Sequence, residues 1–358
     1  MKLTVQFVRV IAMAAIILNA GGCSENQGSQ PVTTGPASPP LWGFVVEGLP
    51  DSDRLCELAC QTTISPDMVV FFLQWPEPDR QQQAGFPENT LAAIWRQGAM
   101  PVLTWEPFYH LPDGSEHMIS VRDICDGHYD AYIQKFAEAA ATYGHPFLIR
   151  FAHEMNLSRY HWGGPADAYS PDSPAAYTRL FQYVVNKVKA HGAGNVLWVF
   201  CPNAESVPDT SADAETHWNR IASYYPGPDY VDVVGMDGYN WGTSRTQSVH
   251  GWVSRWQSFQ VIFQAAYHEL RAIAPEKPLF VFETGSVTAG GDRAQWVADM
   301  FDTLGTWKVH GVCWFQAEKE NPWHLTLPAD KVAIQAIRRR KSVAYRWLET
   351  QGGIDEKR

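Results

Sequence analysis

The stretch FLIRFAHEMNLSRYHWGG, residues 147–164, starts as a strand and ends as a cluster of chemically active side chains. Residues 147–149 are β-forming and apolar, as an interior strand requires. The run stops at Arg150, His153, Glu154 and Asn156, and Arg159, Tyr160, His161 and Trp162 follow. In a parallel α/β protein the carboxyl ends of strands carry the reacting groups, so a carboxylic acid beside His and Asn there is a candidate acid or base. The alternative is an ion pair of Arg150 with Glu154 that fixes the strand end. The rest of the chain decides between them.

Working outward, eight short apolar segments have strand character: residues 42–47, 68–74, 100–105, 146–151, 196–201, 231–235, 279–282 and 311–315. Helical patterns lie at 89–97, 129–143, 174–190, 253–274, 292–304 and 329–348. Such alternation predicts a parallel sheet, and eight units predict an α/β fold of the closed (β/α)₈ type, a TIM barrel, as a single domain over residues 41–350. A doubly wound open sheet is the competing topology, but no GxGxxG follows the first strand. Seven strand ends carry polar or aromatic residues: Gln74 and Trp75, Trp105 and Glu106, His153 and Glu154, Asn203, Asp237 and Tyr239, Glu283, and Trp314 and Gln316. That concentration points to a site at the barrel mouth. Long connections at 109–129 and 203–228 are expected to wall a groove.

Composition narrows the function. A formal charge of -10 repels polyanions, and the one basic run, 338–341, ends a helical pattern, so nucleic acid is not an expected partner. The 15 Trp and 14 Tyr supply flat faces with a polar edge, of the kind on which sugar rings stack, although barrel cores bury aromatics as well. Lys2 and Arg9 precede an apolar run, 10–18, too short to span a membrane comfortably, and small residues lead to Cys23. Residues 1–22 therefore read as a signal peptide and 23–40 as a flexible tether rich in Gln, Ser, Thr, Gly and Pro. Cysteines 56, 60, 125, 201 and 313 remain, and no paired CxxC set exists, so neither a structural zinc nor a cofactor is expected. The second histidine of an HExxH string is replaced by Leu157, and no GxSxG follows a strand.

Two carboxylates remain for chemistry, Glu154 after the fourth strand and Glu283 after the seventh, placed to face each other across a barrel mouth as glycoside hydrolysis requires. Arg150, His153, Glu154, Met155 and Asn156, with residues 231–242 (VDVVGMDGYNWG), FETGS at the seventh strand and VCWFQ at the eighth, resemble the motifs of glycoside hydrolase family 26. The similarity spans residues 41–325. That family comprises (β/α)₈ retaining enzymes, among them β-mannanases, mixed-linkage β-glucanases and β-1,3-xylanases. The resemblance implies that Glu154 is the general acid/base and Glu283 the nucleophile. It implies that His153 bonds the sugar at the cleavage point and that Tyr239 orients Glu283. Arg150 would lie beneath the pair and keep Glu283 ionised. Trp314 would be the floor under the distorted sugar, Trp105 and Trp162 would line the groove, and Asn156 would join the substrate-binding set. Phe151, Ala152, Leu157 and the run 159–161 depart from the mannanase form, which leaves the reaction in place and the sugar open. The leader resembles that of a bacterial lipoprotein, with Cys23 lipidated and the protein anchored to a membrane, although Ala20 stands where Leu is usual; cleavage without lipid is the alternative. The expected partner is a β-linked glycan, and the protein is expected to be a monomer. A sugar-binding lipoprotein without turnover is the rival reading.

Overall fold

A parallel strand covered on both faces must be apolar where it crosses the core, and eight segments of this chain begin in that way. They are β1 (Leu41–Val45), β2 (Met68–Gln74), β3 (Met100–Glu106), β4 (Phe147–Phe151), β5 (Val196–Phe200), β6 (Val233–Asn240), β7 (Leu279–Ser286) and β8 (Gly311–Phe315). Each pairs in parallel with its sequence neighbours and β8 closes on β1, which makes the predicted barrel. The computed structural model describes residues 39–160, 162, 169–211 and 213–341. The expected leader, Cys23 and all but the last two residues of the tether lie outside the described residues.

The helices α1 (Ser52–Thr62), α2 (Glu88–Arg96), α3 (Asp130–Tyr143), α4 (Ser173–Ala190), α5 (Phe259–Ile273), α6 (Arg293–Trp307) and α7 (Lys331–Arg340) follow the strands in turn, except after β5. There, 3₁₀ turns at Ala214–Asn219 and Ile221–Tyr224 take the place of a helix. Helix α1 was absent from the sequence expectation; its start is set by the Asp51 side chain, which accepts from the Arg54 amide. The helix expected from residue 253 begins six residues later, because Ser258 caps it at the Val261 amide. The expected helix 329–348 is described as far as Arg340. The long connection after β3 holds a hairpin, Phe108–His110 against Glu116–Met118.

Strand alternation sorts side chains into two cores. One lies inside the barrel and includes Met68, Val70, Met100, Val102, Leu148, Phe280 and Phe282. The other lies between strands and helices and holds the larger aromatics, among them Trp42, Trp105, Trp198 and Trp314. All five described cysteines are free; Cys201 and Cys313 are buried in the inner core.

Candidate active site

Alternation also decides what reaches the barrel mouth. On β4, Leu148 and Arg150 point inward, and Arg150 is fully buried. Its guanidinium donates to Thr104 Oγ1 on β3 at 3.0 and 2.8 Å, and forms ion pairs with Asp237 on β6 and Glu283 on β7. Burial opposes its charge, but the two carboxylates hold its pKa well above the ordinary value. The partner of Arg150 is therefore Glu283, with Asp237, and not Glu154.

Glu283 reaches this position through an irregularity in its strand. Met236 pairs with Val281, whereas Asp237 pairs with Glu283, so β7 carries one extra residue, Phe282. This bulge places both Phe282 and Glu283 toward the interior. The second carboxylate oxygen, Oε2, accepts from Tyr239 Oη at 2.5 Å. Burial and the Glu283 charge push the Tyr239 hydroxyl well above its usual range, so it stays a donor.

Glu154 stands one turn past β4 on an unusual backbone. Ala152 and Glu154 have φ of 47° and 52°, a left-handed conformation that costs a residue with a Cβ on the order of 1 kcal/mol or more. The surroundings fix it: the Ala152 amide donates to Trp105 O at 3.1 Å, the Glu154 amide to Cys201 O at 2.8 Å, and Leu157 back to Glu154 O at 3.0 Å. The Glu154 side chain accepts from Asn203 Nδ2 at 2.7 Å. Burial, and next the charge of Glu283, push its pKa up to about 7, against the bond from Asn203. Near neutrality this carboxyl can hold a proton and can also release it.

Asn156 does not face substrate. It is fully buried, its Nδ2 donating to Asn203 O, Glu205 O and Ser206 Oγ and its Oδ1 accepting from the Asn203 amide. It positions Asn203, which in turn holds Glu154. His153 does line the cleft; burial lowers its pKa well below the normal range, so the ring is neutral, and its Nδ1 has no hydrogen-bond partner. Ligand atoms of His153, Asp237 and Glu283 lie within 4.8 Å of one another, yet Arg150 already bonds both carboxylates, so the set does not fit a cation.

The cleft above these groups has a volume of about 530 Å³. Its aromatic walls are Phe72, Tyr160, Tyr239, Trp241, Trp252, Phe315 and Trp323. The three tryptophans assigned to it from sequence are elsewhere. Trp105 points outward from β3, stacks on Phe136 at 4.2 Å and donates to Tyr132 Oη at 3.0 Å. Trp314 likewise faces the helices, packed on Trp42 and Trp296, with its indole donating to Trp323 O at 2.9 Å. Trp162 is buried behind Tyr160, which stacks on it at 5.2 Å and gives the cleft its own ring. The parity of β3 and β8 carried the signal: Gly311, Cys313 and Phe315 face inward, so Trp314 cannot. Asn203 and Asp237 were visible as strand ends but had no role until Glu154 and Arg150 supplied one. Trp241, Trp252 and Trp323 sit on loops whose course no periodicity reports.

A sequence profile described as glycosyl hydrolase family 26 matches residues 124–279. Endoglucanase H of Acetivibrio thermocellus is 34% identical over 267 residues, which is 72% of this chain and 27% of that protein. A mannan endo-1,4-beta-mannosidase of Bacillus subtilis strain 168 is 27% identical over 153 residues, 41% of this chain and 33% of the relative. The chain spans less than half the length of the curated relatives it matches. Among solved structures, the Bacillus subtilis mannanase BCman aligns with a TM-score of 0.58 at 18% identity, covering 86% of this chain and 87% of that one. The GH26 domain of a Prevotella bryantii endo-beta-mannanase/endo-beta-glucanase aligns at 0.55 and 16% identity, covering 84% and 89%. At that identity the two structures speak to the fold alone.

Proposed function

We propose that this chain, which belongs to glycoside hydrolase family 26, is an endo-acting, retaining hydrolase of β-1,4-linked mannan or glucan. One observation carries the reading: a carboxylate held by Arg150 and Tyr239 lies beside a buried carboxyl whose pKa is pushed up to about 7. Two carboxyl groups with such different surroundings suit two different tasks. Glu283 attacks the anomeric carbon while Glu154 gives its proton to the departing glycosidic oxygen, leaving a glycosyl ester on Glu283. Glu154, now a carboxylate, takes a proton from water, which attacks the same carbon and frees Glu283 with the configuration retained. Neutral His153 lines the cleft beside this pair, and Tyr239 keeps the attacking oxygen in line.

The relative named an endoglucanase favours glucan, and those named mannan endo-1,4-beta-mannosidases favour mannan. The test is to incubate the protein with galactomannan, barley β-glucan and xylan, size the products and follow the first anomer by NMR. Short oligosaccharides of retained configuration are expected. An inverted first anomer, or binding without any product, overturns the reading; the second result is what a sugar-binding protein without turnover would give. We also propose that the mature protein is a monomer anchored to a bacterial membrane by a lipid on Cys23, from the charged start, the short apolar run and the small residues before that cysteine. Cys23→Ser should move it from the membrane to the soluble fraction, and a wild type already soluble would end that proposal.

A further inference from the structure

A second chamber, about 270 Å³, opens beside the catalytic cleft over the ends of β1, β2 and β3. The two share Phe72, Arg159, Tyr160, Phe315 and Lys319 as walls, so one continuous groove crosses the barrel mouth. At the far wall stand Gln74 and Glu106, partners in the register of β2 on β3. Gln74 Nε2 donates to Glu106 Oε2 at 2.6 Å. Among the described residues, neither Glu106 Oε1 nor Gln74 Oε1 has a hydrogen-bond partner, although Glu106 is only 4% exposed. Neither is among the sealed-off polar atoms of the interior, so both oxygens open into the chamber, where a polar ligand can meet them.

We propose that Gln74 and Glu106 are specificity-determining residues that hydrogen-bond the hydroxyl groups of a sugar ring seated in this chamber, next to the ring that is cleaved. The inference rests on the glycan-hydrolase reading above. The charged lining is mixed, Glu47, Glu106 and Glu116 against Arg159 and Lys319, with Arg159 already paired to Glu116, and a neutral, hydroxyl-rich ligand suits such a wall. Burial pushes Glu106 up to about 7, against the pull of Gln74 and Arg150, so near neutrality its carboxyl can donate to a hydroxyl as well as accept from one. With Gln74 the wall then presents acceptors and donors on adjacent strands, a pattern that matches neighbouring equatorial or axial hydroxyls of a pyranose. Apolar faces are supplied in the same chamber by Phe72, on the same side of β2 as Gln74, and by Tyr160.

The experiment compares kcat/KM on mannotetraose and cellotetraose with that on a dinitrophenyl monoglycoside, which occupies the cleavage point alone. In Gln74→Ala and Glu106→Ala the ratio of tetraose to monoglycoside should fall about tenfold, the effect of losing one hydrogen bond of about 1.4 kcal/mol. Glu106→Gln, which keeps one donor and one acceptor, should retain most of the ratio. If both substrates lose equally, or the ratio does not move in Gln74→Ala, the residues are structural and the proposal falls. Gln74 is partly exposed, so its variant remains a fair test should Glu106→Ala not fold. Calorimetric binding of the same tetraoses reads the chamber even where no bond is cut: a wild type that binds but does not cleave, with binding lost in Gln74→Ala, sinks the hydrolase reading and keeps this one. Equal binding by wild type and variant sinks this one.

Discussion

At the scale of single residues, the site is a set of charges taken out of water and answered one by one. Arg150 is the centre of it, bonded to Thr104, Asp237 and Glu283 with no exposed surface. Arg150→Met leaves two buried carboxylates facing each other, so it should cost about 3–5 kcal/mol in denaturant unfolding and abolish turnover. Retained stability in that variant would show that the pairing is not what holds the barrel mouth. Glu154 has a different liability. Its pKa rises from 4.5 to about 7 on folding, so between those values the native state keeps a proton that the unfolded chain has released. Stability from this group is therefore lost as pH rises from about 4.5 to about 7 and stays lost above. Glu154→Gln should be more stable than the wild type at pH 8 by about 1–3 kcal/mol, with no difference near pH 4, while activity on natural glycans collapses. The wild-type rate should also decline above about pH 7 as the acid loses its proton. A melting-temperature series of both proteins across pH reads the first claim; a wild type equally stable at pH 5 and 8 would contradict it. Arg150, His153, Glu154, Tyr239 and Glu283 were legible because each stands at or just past the end of an apolar run within a motif, whereas Asn156 was misread, since a buried amide and a substrate-facing one look alike in sequence.

At the scale of elements, the lesson is parity. The eight strands were legible because parallel strands buried on both faces must be apolar, and their order needed only counting. Counting two further would have turned Trp105 and Trp314 outward, as the structure does. The bulge at Phe282 is the reverse case: strict alternation would have put Glu283 with the outward-facing Val281, and only the extra residue brings it to Arg150. Two predictions belong here. Trp105→Ala removes a packed indole between β3 and α3, and should cost about 3–5 kcal/mol while the folded fraction keeps kcat/KM within about threefold. A selective loss of affinity at unchanged stability would restore it to the groove. Gly242, after β6, has φ of 51°, and a Cβ there would lie 1.9 Å from Ala289 O. Gly242→Ala should therefore cost at least about 2 kcal/mol and, by moving the loop, displace Trp241 from the cleft. Denaturant midpoints together with the tryptophan emission maximum would register both effects, and wild-type values for both would refute the claim.

At the scale of the whole molecule, the mouth of the barrel is crossed by one groove with unlike ends. Over β1 to β3 it closes on the polar wall of Gln74 and Glu106; over β5 and β6 it runs out toward Trp241 and Trp252. Trp252 is 44% exposed and meets Trp241 edge-on at 5.6 Å, while Arg245 lies 4.7 Å over the Trp241 ring. Val249 and Val253 beside it are also exposed, so this rim is an apolar patch at the open edge of the cleft. A ring stacked there lies away from Glu154 and Glu283 and feels no change as the bond breaks, so its contribution is the same in ground and transition states. Trp252→Ala should therefore raise KM on polymeric substrate about tenfold with kcat within about twofold, and should leave stability within about 0.5 kcal/mol because little packing is lost. Chain length gives the sharper reading: the penalty should vanish on oligosaccharides too short to span from the two glutamates to the rim. A fall in kcat, or an equal penalty on the shortest substrate cleaved, would place Trp252 at the cleavage point and shift the reacting bond toward β6.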